Sequence, residues 1–166
     1  MAATVEICES NGAGETVTHN ITNSNMGSTD AANLDPVTYA ITPGTNSYEK
    51  WQRFHVTNMG GSSAIKDLKV WRTGNLGTNA SHKTNARTTS YTAATYAAPT
   101  ANASTVATQD MPTAEPSSAN LGIAGSLTGQ LTGVGYSDYL VHQIQTTSGA
   151  TAGATCTMNY KYTEVA

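Results

Sequence analysis

Charge is the scarce resource in this chain. Only 11% of its 166 residues are Asp, Glu, Lys or Arg, against roughly 25% in an ordinary soluble domain. The surfaces of helices are normally built from Glu, Lys, Arg and Gln, which lose little rotamer freedom there. A chain with so few of them has little from which to make amphipathic helices. Their place is taken by Thr, about one residue in six, with Asn, Ser, Ala and Gly. Thr favours extended backbone, and Asn, Gly and Ser favour turns. The composition therefore predicts an all-β protein: an antiparallel β-sandwich, Ig-like or jelly-roll-like, with long Ala/Thr/Gly-rich loops and a neutral, hydroxyl-rich surface.

The length is that of one domain, 1–166, long enough for a real core. Net charge is −3, which gives no basic footprint for nucleic acid and no polybasic membrane signal. No apolar run approaches the roughly 18 residues of a spanning helix. The first residues carry no secretory pattern, so synthesis in a cytoplasm is expected, the chain then staying there or leaving inside an assembly or by lysis. Two cysteines, Cys8 and Cys156, stand near opposite ends. They read as free buried thiols, or as a disulfide joining the first and last strands.

Alternation marks the strands. Thr4 to Cys8 is a short first strand, and Glu9 to Glu15 a turn-rich break. Val17 to Met26 reads as a second strand or a loop that carries one. Val37 to Thr42 reads as a strand closed by Pro43-Gly44. Glu49 to Asn58 is a strong strand, with Trp51, Arg53, His55 and Thr57 on one face and Gln52, Phe54 and Val56 on the other. Ile65 to Arg72 returns after Met59-Gly60-Gly61-Ser62-Ser63. Leu68 and Val70 then share one face, and Ile65, Lys69 and Trp71 the other. The two runs predict a β-hairpin.

The stretch from Gly74 to Thr89 reads as a polar excursion, and Ser90 to Ala97 as a strand. Residues 98–135 form a long Ala/Thr/Ser/Gly arm, with one helical turn expected at Met111 to Pro116. Leu121, Ile123, Leu127 and Leu131 give the arm enough apolar surface to pack onto something. Tyr136 to Thr146 and Cys156 to Tyr162 are strands joined by a small-residue hairpin loop, with Cys156, Met158, Tyr160 and Tyr162 on one face.

Chemistry is sparse. His19, His55, His82 and His142 show no local metal spacing such as HExxH, so no metal and no cofactor are expected. No Gly-x-Ser-x-Gly elbow or phosphate loop is present, and the acidic residues are scattered. The sequence predicts no enzyme. Trp71 reads as core, and Trp51 fits either core or surface. Trp51, Tyr91 and Tyr96, with Leu121, Ile123 and Leu127, are the candidate interface residues. The three aromatic residues are also a candidate platform for glycan.

Tyr48 to Asn58, with Met59-Gly60-Gly61 and Leu68-Lys69-Val70-Trp71, resembles structural proteins of tailed-phage and prophage morphogenesis clusters. Tyr136 to Thr146, with Ala152-Gly153-Ala154 and Tyr160-Lys161-Tyr162, resembles the closing hairpin of that group. The opening Ala3 to Ile7, followed by Glu9-Ser10-Asn11-Gly12, fits as well. The resemblance implies a β-sandwich virion protein without catalytic residues. A capsid decoration protein is the first expectation, its partners being the major capsid protein and copies of itself, as a homotrimer. The N-terminal strand and residues 98–135 would carry the contacts. A tail, neck or fibre component and a carbohydrate-binding module are the alternatives.

Overall fold

The computed structural model describes residues 1–91 and 109–166. Ten strands carry the fold: β1 (Thr4–Asn11), β2 (Thr16–Thr18), β3 (Lys50–Asn58), β4 (Ala64–Gly74), β5 (Ala80–Thr88), β6 (Gln109–Asp110), β7 (Gln130–Leu131), β8 (Gly135–Tyr136), β9 (Tyr139–Thr146) and β10 (Cys156–Val165). No helix occurs among the described residues. The strands form two antiparallel sheets, as the composition predicts. The larger runs β2-β1-β3-β9-β5-β6, with β8 also paired to β3, and the smaller runs β10-β4-β7.

The expected hairpin is absent, because β3 and β4 lie in different sheets. Both flanks of β3 are already taken. β1 pairs along one, from Thr4 opposite Asn58 to Ser10 opposite Trp51, and β8 and β9 share the other. The glycine turn after β3 therefore carries the chain across to the second sheet. Gly60 has a φ of 60°, and a Cβ there would strike the carbonyls of Met1 and Ala2. The loop between β9 and β10 likewise crosses between sheets and does not close a hairpin.

The core between the sheets contains Phe54, Val56, Ile65, Leu68, Val70, Met111, Leu121, Ile123 and Leu140. Met158, Tyr160 and Tyr162 of β10 pack against it, as their shared face predicts. Ile65 joins Leu68 and Val70, contrary to strict alternation. Asp67 adopts a left-handed φ of 54°, and the β4–β10 register shifts between Lys161 and Thr163. Such a bulge reverses the phase of the strand.

Other expectations are corrected. Val37 to Thr42 is not a strand: the Asp35 carboxylate accepts from the N–H groups of Val37 and Thr38, and its carbonyl from Tyr39. Most of the supposed excursion is β5, and Met111 to Pro116 makes no helical turn. Of the 98–135 arm, the described part is integral to the fold. Arg72 donates to the carbonyl of Pro112, and Met111 to that of His82, while Leu121 and Ile123 are core. The expected strand at Ser90 to Ala97 lies, from Thr92 on, outside the described residues, as does Tyr96.

Candidate functional site

The two faces of the larger sheet do different work. Toward the interior, its apolar end faces the core and its other end is polar. There the side chains of Glu9 on β1, Gln52 on β3, His142 on β9 and His82 on β5 form one row across four neighbouring strands. Gln52 Nε2 donates to Glu9 Oε2 at 2.9 Å, His142 Nε2 lies 3.1 Å from Gln52 Oε1, and His82 Nε2 lies 2.7 Å from His142 Nδ1. Lys50 completes the row with an ion pair to Glu9 at 2.7 Å, both side chains at most 3% exposed. Lys50 also donates to the carbonyl of Ala31, and Gln52 to Ser24 Oγ. The long connection between β2 and β3 thus covers this polar end.

The donor pattern fixes the histidine tautomers. Gln52 spends its amide N–H groups on Glu9 and Ser24, so its oxygen faces His142, and His142 Nε2 must donate. His142 Nδ1 is then an acceptor, and His82 Nε2 donates to it. Burial drives His82 down to about 4 and holds His142 well below the usual imidazole range. Nearby, burial pushes the Glu49 carboxyl up to about 7, opposed by the indole N–H of Trp51. These groups are closed to any substrate.

The outer face holds a second constellation. Glu6 and Cys8 are two apart on β1 and therefore share a face. His55 sits opposite Glu6 on β3, and His19 follows β2 immediately, where the chain runs beside Cys8. Glu6 Oε1 is 2.7 Å from Nδ1 of both His19 and His55. Cys8 Sγ is 3.3 Å from His19 Nδ1, 3.9 Å from His55 Nδ1 and 3.5 Å from Glu6 Oε1. The four ligand-type atoms all lie within 4.8 Å of one another. The hydrogen bonds from His19 and His55 bring Glu6 down to about 2, and burial, reinforced by the Glu6 charge, raises the Cys8 thiol to about 12. Tyr136 stacks on the His55 ring at 3.9 Å and 8° and fixes its orientation. The Arg53 guanidinium lies 4.2 Å over Tyr136. The His19 side chain is 51% exposed, so the cluster opens to solvent there.

The predicted interface residues scatter. Trp51 is wholly buried on the outer face, edge-on to Tyr91 at 5.2 Å and Tyr139 at 5.3 Å. It is core, and the half-buried Trp71 is not, the reverse of the sequence reading for Trp71. Tyr91 donates its hydroxyl to the carbonyl of Gly12. Leu121 and Ile123 are buried and unavailable to another chain. Leu127 alone of the leucine–isoleucine set reaches a surface hollow of about 490 Å³, beside Asp67, Lys69, Ser118 and Thr163. Cys8 and Cys156 are both free thiols, Cys8 buried and Cys156 half-buried.

No protein-family model matches the chain, and no curated protein and no solved structure is similar to it.

Proposed function

We propose that this chain is a non-enzymatic structural protein that acts by assembling, and that its setting is the head of a tailed phage, as a capsid decoration protein. The observation that carries the reading is the outer edge of β10. This strand is ten residues long, and among the described residues it pairs with β4 alone. A long edge with unpaired N–H and C=O groups is a template for a strand from another chain. The neutral surface suits close packing among many subunits, since burying few charges keeps desolvation small. The resemblance of the β3–β4 and β9–β10 blocks to phage structural proteins supplies the setting. Copies of the chain, as a homotrimer, and the major capsid protein are the proposed partners. The glycan alternative is weakened by the burial of Trp51.

Co-sedimentation with tail-less heads stripped of accessory proteins tests the proposal. Saturable binding at a fixed ratio to capsid subunits, with heads that resist heat rupture, is the expected result. Recovery with tails alone would move the protein to the tail. Binding to neither, with a monomer in solution, would overturn assembly as its role.

A further inference from the structure

We propose that Glu6, Cys8, His19 and His55 form a tetrahedral site for a divalent ion of the zinc class. The set is chemically mixed in the way such ions prefer: one thiolate, two imidazole nitrogens and one carboxylate oxygen. Hard cations such as magnesium and calcium favour all-oxygen sites. Zinc bond lengths near 2.0–2.3 Å place tetrahedral ligand atoms roughly 3.3–3.6 Å apart. The sulfur already lies 3.3, 3.5 and 3.9 Å from its three neighbours. On the same geometry the two 2.7 Å contacts of Glu6 must open by roughly half an ångström and the 3.9 Å sulfur–His55 contact must close by roughly 0.3 Å, while the two imidazole nitrogens lie within 4.8 Å of each other.

Charge balances as well. A divalent ion meets one thiolate and one carboxylate, leaving a neutral centre. Binding releases the Cys8 thiol proton to solvent, and each imidazole, which donates from Nδ1 to Glu6 in the metal-free chain, loses that proton to solvent, takes one up at Nε2 and offers its Nδ1 lone pair to the ion. The supports of the site are in place, because Tyr136 holds the His55 plane and β1 and β3 are ladder neighbours. The exposed His19 is the entry side. Four protein ligands leave no open coordination position, so the ion is structural. It would tie the end of β2, a three-residue edge strand, to β1 and β3.

The test is titration of the metal-free full chain with Co²⁺, a spectroscopic stand-in for zinc. The expected result is a thiolate-to-cobalt charge-transfer band and the strong visible absorption of tetrahedral cobalt. Both should saturate at one equivalent and be displaced by Zn²⁺, and Zn²⁺ should raise the melting temperature. Cys8→Ser should abolish the charge-transfer band. His19→Ala removes a half-exposed side chain, leaves the fold intact, and should weaken binding at least about tenfold. Absence of saturable binding would overturn the proposal. So would cobalt spectra unchanged in His19→Ala, since the ion would then sit elsewhere.

Discussion

His82 Nε2 lies 2.7 Å from His142 Nδ1, and both rings are buried between the sheets. One proton lies in the hydrogen bond between the two neutral imidazoles, and a charge placed on either ring has no water to spread into. Because the folded pKa of His82 is about 4 against an ordinary 6.5, the unfolded chain takes up its proton first as pH falls. The contribution is complete above pH 6.5 and is lost on acidification toward pH 4, at about 1.4 kcal/mol per pH unit for each histidine. Chemical denaturation between pH 7 and 4 should show this slope, and His82→Gln should reduce it. A slope unchanged by the substitution would contradict the assignment.

Glu49 acts with the opposite sign. Its folded pKa of about 7 exceeds the ordinary 4.5, so its contribution is complete below pH 4.5 and declines as pH rises through 7. Glu49→Gln removes the buried charge. It should stabilise the fold at pH 8 by on the order of 3 kcal/mol and do little at pH 4. A gain independent of pH would point to packing instead. This variant is also the background in which the histidine slope is cleanest.

The Glu9–Lys50 pair is enclosed, and Glu9 also accepts from Gln52 and Asn11. Lys50→Met leaves a buried carboxylate without its cation and should cost about 3–5 kcal/mol. Lys50→Met with Glu9→Gln should recover much of the loss. A double-mutant cycle by urea denaturation measures the coupling; additive losses would show that the two side chains do not interact.

Asp67 holds the bulge that brings Ile65 into the core. Its left-handed φ of 54° favours Gly or Asn over branched residues. Asp67→Gly should be near neutral or slightly stabilising, and Asp67→Val should cost about 1–2 kcal/mol. Equal melting temperatures for the two variants would remove the backbone argument.

Apolar alternation made β1, β3, β4 and β10 legible, because each turns alternating apolar side chains to the core: Val5 and Ile7, Phe54 and Val56, Leu68 and Val70, and Met158, Tyr160 and Tyr162. It failed for β5, Ala-Ser-His-Lys-Thr-Asn-Ala-Arg-Thr, whose buried residues His82 and Thr84 are polar. It failed also for the partnership of β3 and β4. A glycine turn permits either a hairpin or a crossing between sheets, and competition from β1, β8 and β9 for the flanks of β3 decides it. The metal-type cluster had no local spacing to reveal it. Its members come from positions 6, 8, 19 and 55 on adjacent stretches of one sheet, and the two-residue step from Glu6 to Cys8 was the one local sign.

The four histidines divide into a buried hydrogen-bonded pair, His82 and His142, and an outer pair, His19 and His55, proposed to hold a metal ion. Imidazole ¹H–¹⁵N correlation spectra at pH 7, recorded without and with one equivalent of Zn²⁺, distinguish the two pairs. His82 and His142 should both be neutral Nε2–H tautomers and stay unchanged. His19 and His55 should move together to the pattern of Nδ1-metallated rings. Zinc shifts at His82 or His142, or none at His19 and His55, would overturn this division.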